Sequence, residues 1–488
     1  MNKLFKKFME YAIGNGIVML ISLILVPLVS KYIGPEERGK VDLFVNYTSL
    51  LVLVFTMGMD QAFIRYYNNE EEDNRGKLLK RSIILPIVIA LLGGVFLYVF
   101  RDFVVNLILV DKEAIKNGAA VISNKEAINL VVLLTANILI SIVGNIGLIN
   151  IRMKQKAKTY SLVSASNKIA YFFALFIFYR RFSGSYLTLL LTTITGNLMM
   201  VIVSMLAAKR DWFNFNKKYK LNTTTKQMIT YGIPFIFSMA VTWIFQAVDK
   251  ISIKSFSTLA EVGLYSGAMS IVAIINTVQG MFTTFWTPVA YEKYATDPED
   301  RQFFAKISEV VSLAMLLVAT GVIACKDIVI LFLDAKYDGA QFIFPFLVLM
   351  PIMYTISETT VLGINFKKKT RYHIYIAITS AATNVIGNLI LVPIWGAKGA
   401  AISTGLSYVI FFISRSYFAN KFYKIDINYK KLFIGLGGVY ILAIYSSFYK
   451  FNLTIFLMVI GVTALLLFLY RSLVKEILAS IKKIVFKK

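Results

Sequence analysis

Long apolar runs alternate with short polar or charged segments along the whole chain. The runs fall roughly at 12–32, 41–60, 82–100, 127–150, 160–179, 186–207, 228–256, 262–287, 307–325, 341–365, 372–394, 397–420, 432–449 and 453–473. At 1.5 Å per residue, about 20 apolar residues cross a hydrocarbon layer of about 30 Å. The pattern predicts an all-α polytopic membrane protein with about fourteen transmembrane helices. The segment at 101–126 carries Asp102, Asp111, Lys112 and Glu113 and reads as an amphipathic loop. The N-terminal MNKLFKKFMEYA is a basic flank feeding the first span, with no small-residue cleavage site, so it does not read as a removed signal peptide.

Composition agrees. Of 488 residues, 57% are hydrophobic and 16% charged, and mean hydropathy is +0.68. Soluble domains run about 45–50% apolar and about 25% charged. A disulfide framework is excluded, because Cys325 is the only cysteine. With His373 as the only histidine, there is no His/Cys ligand set for a metal centre, and no cofactor is expected.

The net charge of +25 would suggest nucleic acid in a soluble protein. In a polytopic one it reads as cytoplasmic loops enriched in Lys and Arg. Placing the N-terminus inside puts most of the 52 cations on that side. The clusters are Arg152-Met-Lys154-Gln-Lys156-Ala-Lys158, Lys217-Lys218-Tyr-Lys220 and Lys367-Lys368-Lys369-Thr-Arg371. Both termini are then cytoplasmic and the number of spans even; twelve would require demoting the last two, which look sound. No nucleic-acid partner is expected.

The chain also repeats itself. Lys158-Thr159, a span, a turn at Ser183-Gly184 and a second span match Lys369-Thr370, a span, a turn at Gly396–Gly399 and a second span, an offset of 211 residues from Lys158 to Lys369. The junction Lys31–Gly39 resembles Lys254–Gly263 in the same way. Six spans per half make the repeats parallel, related by a pseudo-two-fold axis along the membrane normal. The expected organisation is an N-terminal lobe (1–210, spans one to six), a C-terminal lobe (211–425, spans seven to twelve), and 426–488 with spans thirteen and fourteen and a basic cytoplasmic tail. Transporters are often built this way, with substrate between the halves.

Gly34-Pro-Glu-Glu-Arg-Gly39-Lys40-Val41 nearly spells a phosphate-binding loop. Val41 lacks the hydroxyl that Mg²⁺ needs and no strand precedes it, so ATP binding is not expected. In another frame the same residues say more. Lys31-Tyr-Ile-Gly34-Pro35-Glu-Glu-Arg-Gly39, then Gly58-Met-Asp60-Gln-Ala62-Phe-Ile-Arg65-Tyr66, Tyr231-Gly-Ile-Pro234, Asp249-Lys250, Val262-Gly263-Leu-Tyr265 and Pro393-Ile-Trp-Gly396-Ala-Lys-Gly399-Ala400-Ala401 follow one another in order. That series resembles the oligosaccharide flippases, the polysaccharide-transport branch of the multidrug/oligosaccharidyl-lipid/polysaccharide (MOP) exporter superfamily. It covers roughly residues 1–425. Lys250 departs from the Arg the family often carries, which weakens a bidentate phosphate clamp there.

The resemblance implies a MATE-like fold and a polyprenyl-pyrophosphate-linked (undecaprenyl-type) oligosaccharide as substrate. The substrate would pass from the inner to the outer leaflet of a bacterial cytoplasmic membrane by alternating access, in cell-surface polysaccharide synthesis. Besides membrane lipids, the expected partners are glycosyltransferases or a polymerase of the same pathway. Each sugar hydroxyl stranded in hydrocarbon is costly, so a polar, basic central cavity between the halves is expected.

Ionisable residues inside spans are the candidates for that cavity. Asp249 and Lys250 in span seven read either as a snorkelling pair or as cavity wall. Asp60 and Arg65, toward the inner end of span two, are candidates, although Arg65 alone reads as a headgroup anchor. Lys31 and Arg152 suit anchors as well as ligands. Lys168 in span five has no local counter-ion and reads as a cavity group or as buried against a distant carboxylate. Asn384 and Asn388, four apart on one helix face, suit sugar hydroxyls or interhelical glue. Glu358 in span ten is the candidate for proton or Na⁺ coupling, against a structural carboxyl. His373 reads as a solvated loop residue.

Two other classes compete. A cation-coupled multidrug exporter of the same superfamily shares the spans, but the basic excess and the motif order favour the flippase. A polysaccharide polymerase or ligase would carry a large outer loop, and an acyltransferase an intramembrane catalytic His; the sequence has neither, so no enzyme activity is expected.

Overall fold

A computed structural model of the chain describes residues 2–111, 122–213, 221–369 and 371–485. The Lys217-Lys218-Tyr-Lys220 cluster lies outside them. The long helices are α1 (Asn2–Tyr32), α2 (Pro35–Thr56), α3 (Arg75–Val99), α4 (Asn124–Met153), α5 (Ala157–Phe182), α6 (Tyr186–Ala207), α7 (Thr225–Phe256), α8 (Leu259–Thr296), α9 (Arg301–Ala324) and α10 (Phe344–Thr360). Arg371–Asn420 is two helices, α11 (371–395) and α12 (397–420), broken at Gly396, whose φ is 55°. Then come α13 (Tyr429–Phe448), α14 (Leu453–Leu469) and α15 (Arg471–Val485). No strand occurs among the described residues.

A helix underlies every apolar run. By length and composition, nine helices among the described residues can cross a membrane, or eleven if each of two bent pairs is one span. That count takes Arg371–Asn420 once and sees only a 15-residue apolar part of α1, Val18–Tyr32. Large apolar side chains lie largely exposed on the helix surfaces, including Leu92, Phe103, Ile177 and Leu457. In water such surfaces would drive aggregation; in lipid they are the expected exterior. The protein is a multi-pass, all-helical membrane protein.

Two details depart from the sequence expectation. Part of the charged segment after α3 is helical, Arg101–Leu109, with Val104, Val105 and Ile108 buried; the charges at Asp102 and at 111–113 on either side masked a short helix that packs by one apolar face. Also, α14 stops at Leu469 and α15 leaves it at 78°, shortening the run read as 453–473.

The chain forms two compact units: Met1–Ala247 with Ser257–Gly263, and Val248–Phe256 with Leu264–Lys488.

In the first unit, α2 begins at Pro35 with Glu36 and Glu37 in its first turn. Proline has no N–H to leave unpaired there, and the carboxylates suit the positive end of the helix dipole. Glu37 also accepts the backbone N–H of Tyr186 at the start of α6, and Asp111 accepts that of Leu259 at the start of α8 (3.0 Å). Helix starts are thus capped by carboxylates from elsewhere in the unit. Deeper in, Thr48, Asn137, Asn197 and Asn167 link four helices through successive side-chain hydrogen bonds of 3.4, 3.1 and 3.0 Å. On the loop side, Asp211 is buried against Lys154 (2.6 Å) and Asn150 (2.7 Å).

The second unit packs an aromatic cluster of Trp286, Phe304, Phe366 and Tyr423. Trp286 donates its indole N–H to the Glu358 carbonyl (3.3 Å), and so ties α8 to α10. Pro351 lies inside α10, whereas Pro345 sits in its first turn, where proline starts a helix rather than bending it.

Candidate functional site

Three of the sequence candidates meet in the second unit. Asp249 of α7 is 5% exposed, Asn384 1% and Asn388 0%. Asn384 and Asn388, one turn apart on α11, both donate Nδ2–H to Asp249 Oδ1 (3.1 and 2.8 Å). Oδ2 accepts from the Tyr265 hydroxyl of α8 (2.5 Å) and the Thr404 hydroxyl of α12 (2.6 Å). Four helices thus converge on one carboxylate. Ser403 braces the floor, donating to the Asn384 carbonyl (2.8 Å) and accepting from Asn388 (3.3 Å). The Gly396 turn permits this, because it folds α12 back so that Ser403 and Thr404 face Asn384 and Asn388. Gly399 lies where a Cβ would be 2.2 Å from the Leu391 carbonyl oxygen, and only glycine allows that approach.

The other sides of the two amides are unsatisfied. Asn384 Oδ1 and Asn388 Oδ1 are buried and have no hydrogen-bond partner among the described residues. Two orphaned acceptors beside a buried carboxylate are costly. A half-turn of each amide about χ2 would aim both oxygens at Asp249, which is favourable only with a cation between them. Carboxylate, hydroxyl and amide oxygens form a hard donor set. With one carboxylate, a monovalent cation or a proton neutralises the cage, and a divalent ion would leave a buried positive charge. No group of three or more His, Cys, Asp or Glu side chains placed to hold a metal ion occurs among the described residues.

Glu358 stands in a second cluster of the same unit. Its Oε1 accepts from Arg415 Nη2 of α12 (2.9 Å), and Arg415 Nη1 donates to the Ser357 hydroxyl (2.6 Å). Arg415 also lies against the rings of Tyr354 (5.2 Å) and Phe411 (4.9 Å). Both charges are buried and paired. Sequence reasoning missed Arg415, because near a span end it resembles a headgroup anchor; its spacing from Glu358 carries no signal.

The remaining candidates are dispersed. Lys250 is half-buried beside Asp249 on α7. In the first unit, Asp60 is half-buried, accepts from Gln61 (2.7 Å) and lines a cavity of about 350 Å³. Arg65 is exposed, 5.9 Å from the Tyr66 ring centroid. Lys31 and Arg152 are exposed. Lys168 is half-buried, its ammonium 6.0 Å from the Tyr171 ring centroid. His373 is half-buried rather than solvated, with Nε2 2.9 Å from Asn365 Oδ1. Ser403 and Thr404 were missed, because Ser and Thr are common in spans and nothing marks those that face a carboxylate; Tyr265 stands out in sequence only as part of the Val262–Tyr265 motif, not as a site residue.

Residues 4–293 match the family model described as "Polysaccharide biosynthesis protein". The chain belongs to this family. An uncharacterized membrane protein of Methanocaldococcus jannaschii is 22% identical over 448 residues, covering 88% of this chain and 86% of its own. Among solved structures, the lipid II flippase MurJ in an inward closed conformation is similar at a TM-score of 0.67 and 18% identity, over 95% of this chain and 99% of its own. An inward-facing multidrug resistance MATE transporter of the MOP superfamily is similar at 0.52 and 15%, over 84% and 93%. The fold of this polysaccharide biosynthesis family member is thus MurJ- and MATE-like, as the sequence resemblance to the polysaccharide-transport branch of the MOP superfamily implied.

Proposed function

We propose that the protein is a flippase that moves a polyprenyl-pyrophosphate-linked oligosaccharide from the inner to the outer leaflet of the cell membrane by alternating access, with fourteen crossings, both termini cytoplasmic and no enzymatic activity of its own. The observation that carries this reading is the combination of a polysaccharide biosynthesis family match with a MurJ-like fold over nearly the whole chain. Dispersed as they are, Lys31, Arg65, Arg152, Lys168 and Lys250 meet the pyrophosphate at separate points of its passage rather than as one clamp; Asp60 supplies an acceptor for sugar hydroxyls.

The coupling step we assign to Asp249 rather than to Glu358. Glu358 already holds a guanidinium at 2.9 Å, so binding a cation there would first require breaking a buried ion pair. Asp249 has only neutral donors and two orphaned amide oxygens beside it. Binding of Na⁺ or a proton would draw α7, α8, α11 and α12 together; release would loosen them. A cage that differs between states in this way couples ion occupancy to conformation.

Vesicles reconstituted with the protein and a fluorescent undecaprenyl-pyrophosphate oligosaccharide test the reading. Transfer between leaflets that depends on an inward Na⁺ or proton gradient is expected, without ATP. Transfer of organic cations but not of the glycolipid would favour the second reading, a multidrug exporter, which the MATE-like fold supports.

A further inference from the structure

The cavity that Asp60 lines lies wholly within the first unit, among α2, α4 and the first part of α7. One wall is the indole of Trp243, whose Nε1–H donates to the Asn46 carbonyl (3.1 Å) and the Ser49 hydroxyl (3.0 Å). Those bonds fix the ring against α2. Val52, Ile146 and their neighbours add aliphatic lining, and Ser49 and Thr56 add hydroxyls. Polar groups come from three directions: Asp60, Asn145 and Gln246.

Asp60 reaches this position through a break in the chain. Met57 and Gly58 are both left-handed, at φ 51° and 67°, so α2 ends and a short helix, Met59–Tyr66, starts in a new direction. The break is seated on α7: a Cβ on Gly58 would lie 2.2 Å from the Gly232 carbonyl oxygen.

Asn145 and Gln246 are exposed, and both lie within apolar runs at membrane depth. Facing lipid, their amides would be unsatisfied at a cost of several kcal/mol each. Lining a cavity, they are met by water or by a polar ligand, so the site suits a ligand that replaces that water's hydrogen bonds. A pyrophosphate does not suit, since the carboxylate of Asp60 would repel it and no Lys or Arg lines the cavity among the described residues. A hydrocarbon tail would leave Asp60, Asn145 and Gln246 unpaired. An organic cation would use Asp60 and the indole but not the two amides. A neutral pyranose uses all of them, with its C–H face on the indole and its hydroxyl or acetamido groups on the carboxylate and amides. A volume of about 350 Å³, near the lower end of small-molecule sites, suits one ring rather than a chain.

We infer that the Trp243–Asp60–Asn145–Gln246 cavity is a subsite for one neutral sugar ring of the lipid-linked glycan, resting on the flippase reading above for the glycan's being the cargo. The carrier's phosphates bind elsewhere, so this subsite sets headgroup preference independently of the carrier.

The test is equilibrium binding of undecaprenyl pyrophosphate with and without a sugar to the purified full chain. The wild type is expected to bind the glycosylated form roughly tenfold more tightly, about 1.4 kcal/mol. Trp243→Ala and Gln246→Leu should abolish that preference while keeping affinity for the bare carrier within about twofold; Trp243→Phe should retain most of it. The inference is overturned if the wild type shows no preference, if the variants lose both forms equally, or if an organic cation such as ethidium displaces the sugar-bearing ligand and free sugar does not. Wild type that shows the preference but moves no glycolipid in vesicles would overturn the flippase reading and leave the subsite standing.

Discussion

The carbonyl oxygen of Pro35 lies 1.7 Å from the point that a Cβ on Gly263 would occupy. Gly39 faces the other way across the same contact, where its Cβ would be 2.1 Å from the Leu259 carbonyl oxygen and 3.2 Å from the Gly263 nitrogen. The two junctions that match in sequence, Lys31–Gly39 and Lys254–Gly263, pack on one another through their glycines, within the first unit. The two similar junctions are therefore also in contact.

Gly39→Ala or Gly263→Ala should force backbone apart at that contact, since no flexible side chain is there to yield. A loss of about 1–3 kcal/mol or more is expected, read as an earlier thermal transition of the detergent-purified protein. Gly280→Ala on α8, with nothing within 4 Å of its Cβ, should melt as the wild type does. Equal stability of all three would refute the close approach.

Asp249→Asn should remove the charge that a monovalent cation would neutralise. If Na⁺ binds there, exchanging choline for Na⁺ at 100 times the dissociation constant should stabilise the wild type by about 2.7 kcal/mol and the variant not at all. Glu358→Gln should keep the Na⁺ response. A response that survives in Asp249→Asn and vanishes in Glu358→Gln would return the coupling role to Glu358.

Breaking the Glu358–Arg415 pair from one side leaves a buried, uncompensated charge. Either Glu358→Leu or Arg415→Leu alone should cost about 3–5 kcal/mol, and the double substitution much less than the sum. A double-mutant cycle by thermal or denaturant unfolding measures it. Strict additivity would mean that the two groups do not interact.

Beyond the apolar run 262–287, Asp300 caps α9 by accepting the Phe303 backbone N–H (3.0 Å) and pairs with Lys293 (2.6 Å). The Lys293 ammonium, and then the Phe303 N–H, hold the Asp300 carboxyl below its ordinary range. A depressed folded pKa means that its stabilisation is present above the unfolded value of about 3.9 and is lost as pH falls through the folded one. Hydrogen exchange at the Phe303 amide, corrected for its intrinsic rate, should speed up only below about pH 4. In Asp300→Ala it should be fast at every pH. Protection unaffected by either change would rule out the cap.

The sequence by itself determined the membrane setting, the helices and the family resemblance, because each rests on a local quantity. Run length sets whether a segment can cross the bilayer, and the order of short motifs such as Val262-Gly263-Leu-Tyr265 survives without coordinates. Asp249, Asn384 and Asn388 stand out in sequence because a polar group in hydrocarbon is costly wherever it lies. What that residue does depends on its partner, and partners come from other helices. Tertiary structure alone brought Asn384, Asn388, Tyr265 and Thr404 onto Asp249, with up to 155 residues of separation from Asp249 to Thr404. It alone gave Glu358 the guanidinium of Arg415, 57 residues away. Helix rotation and the Gly396 and Gly58 breaks decide which faces meet. Those depend on how many side chains pack at once, and no single stretch of sequence contains that information.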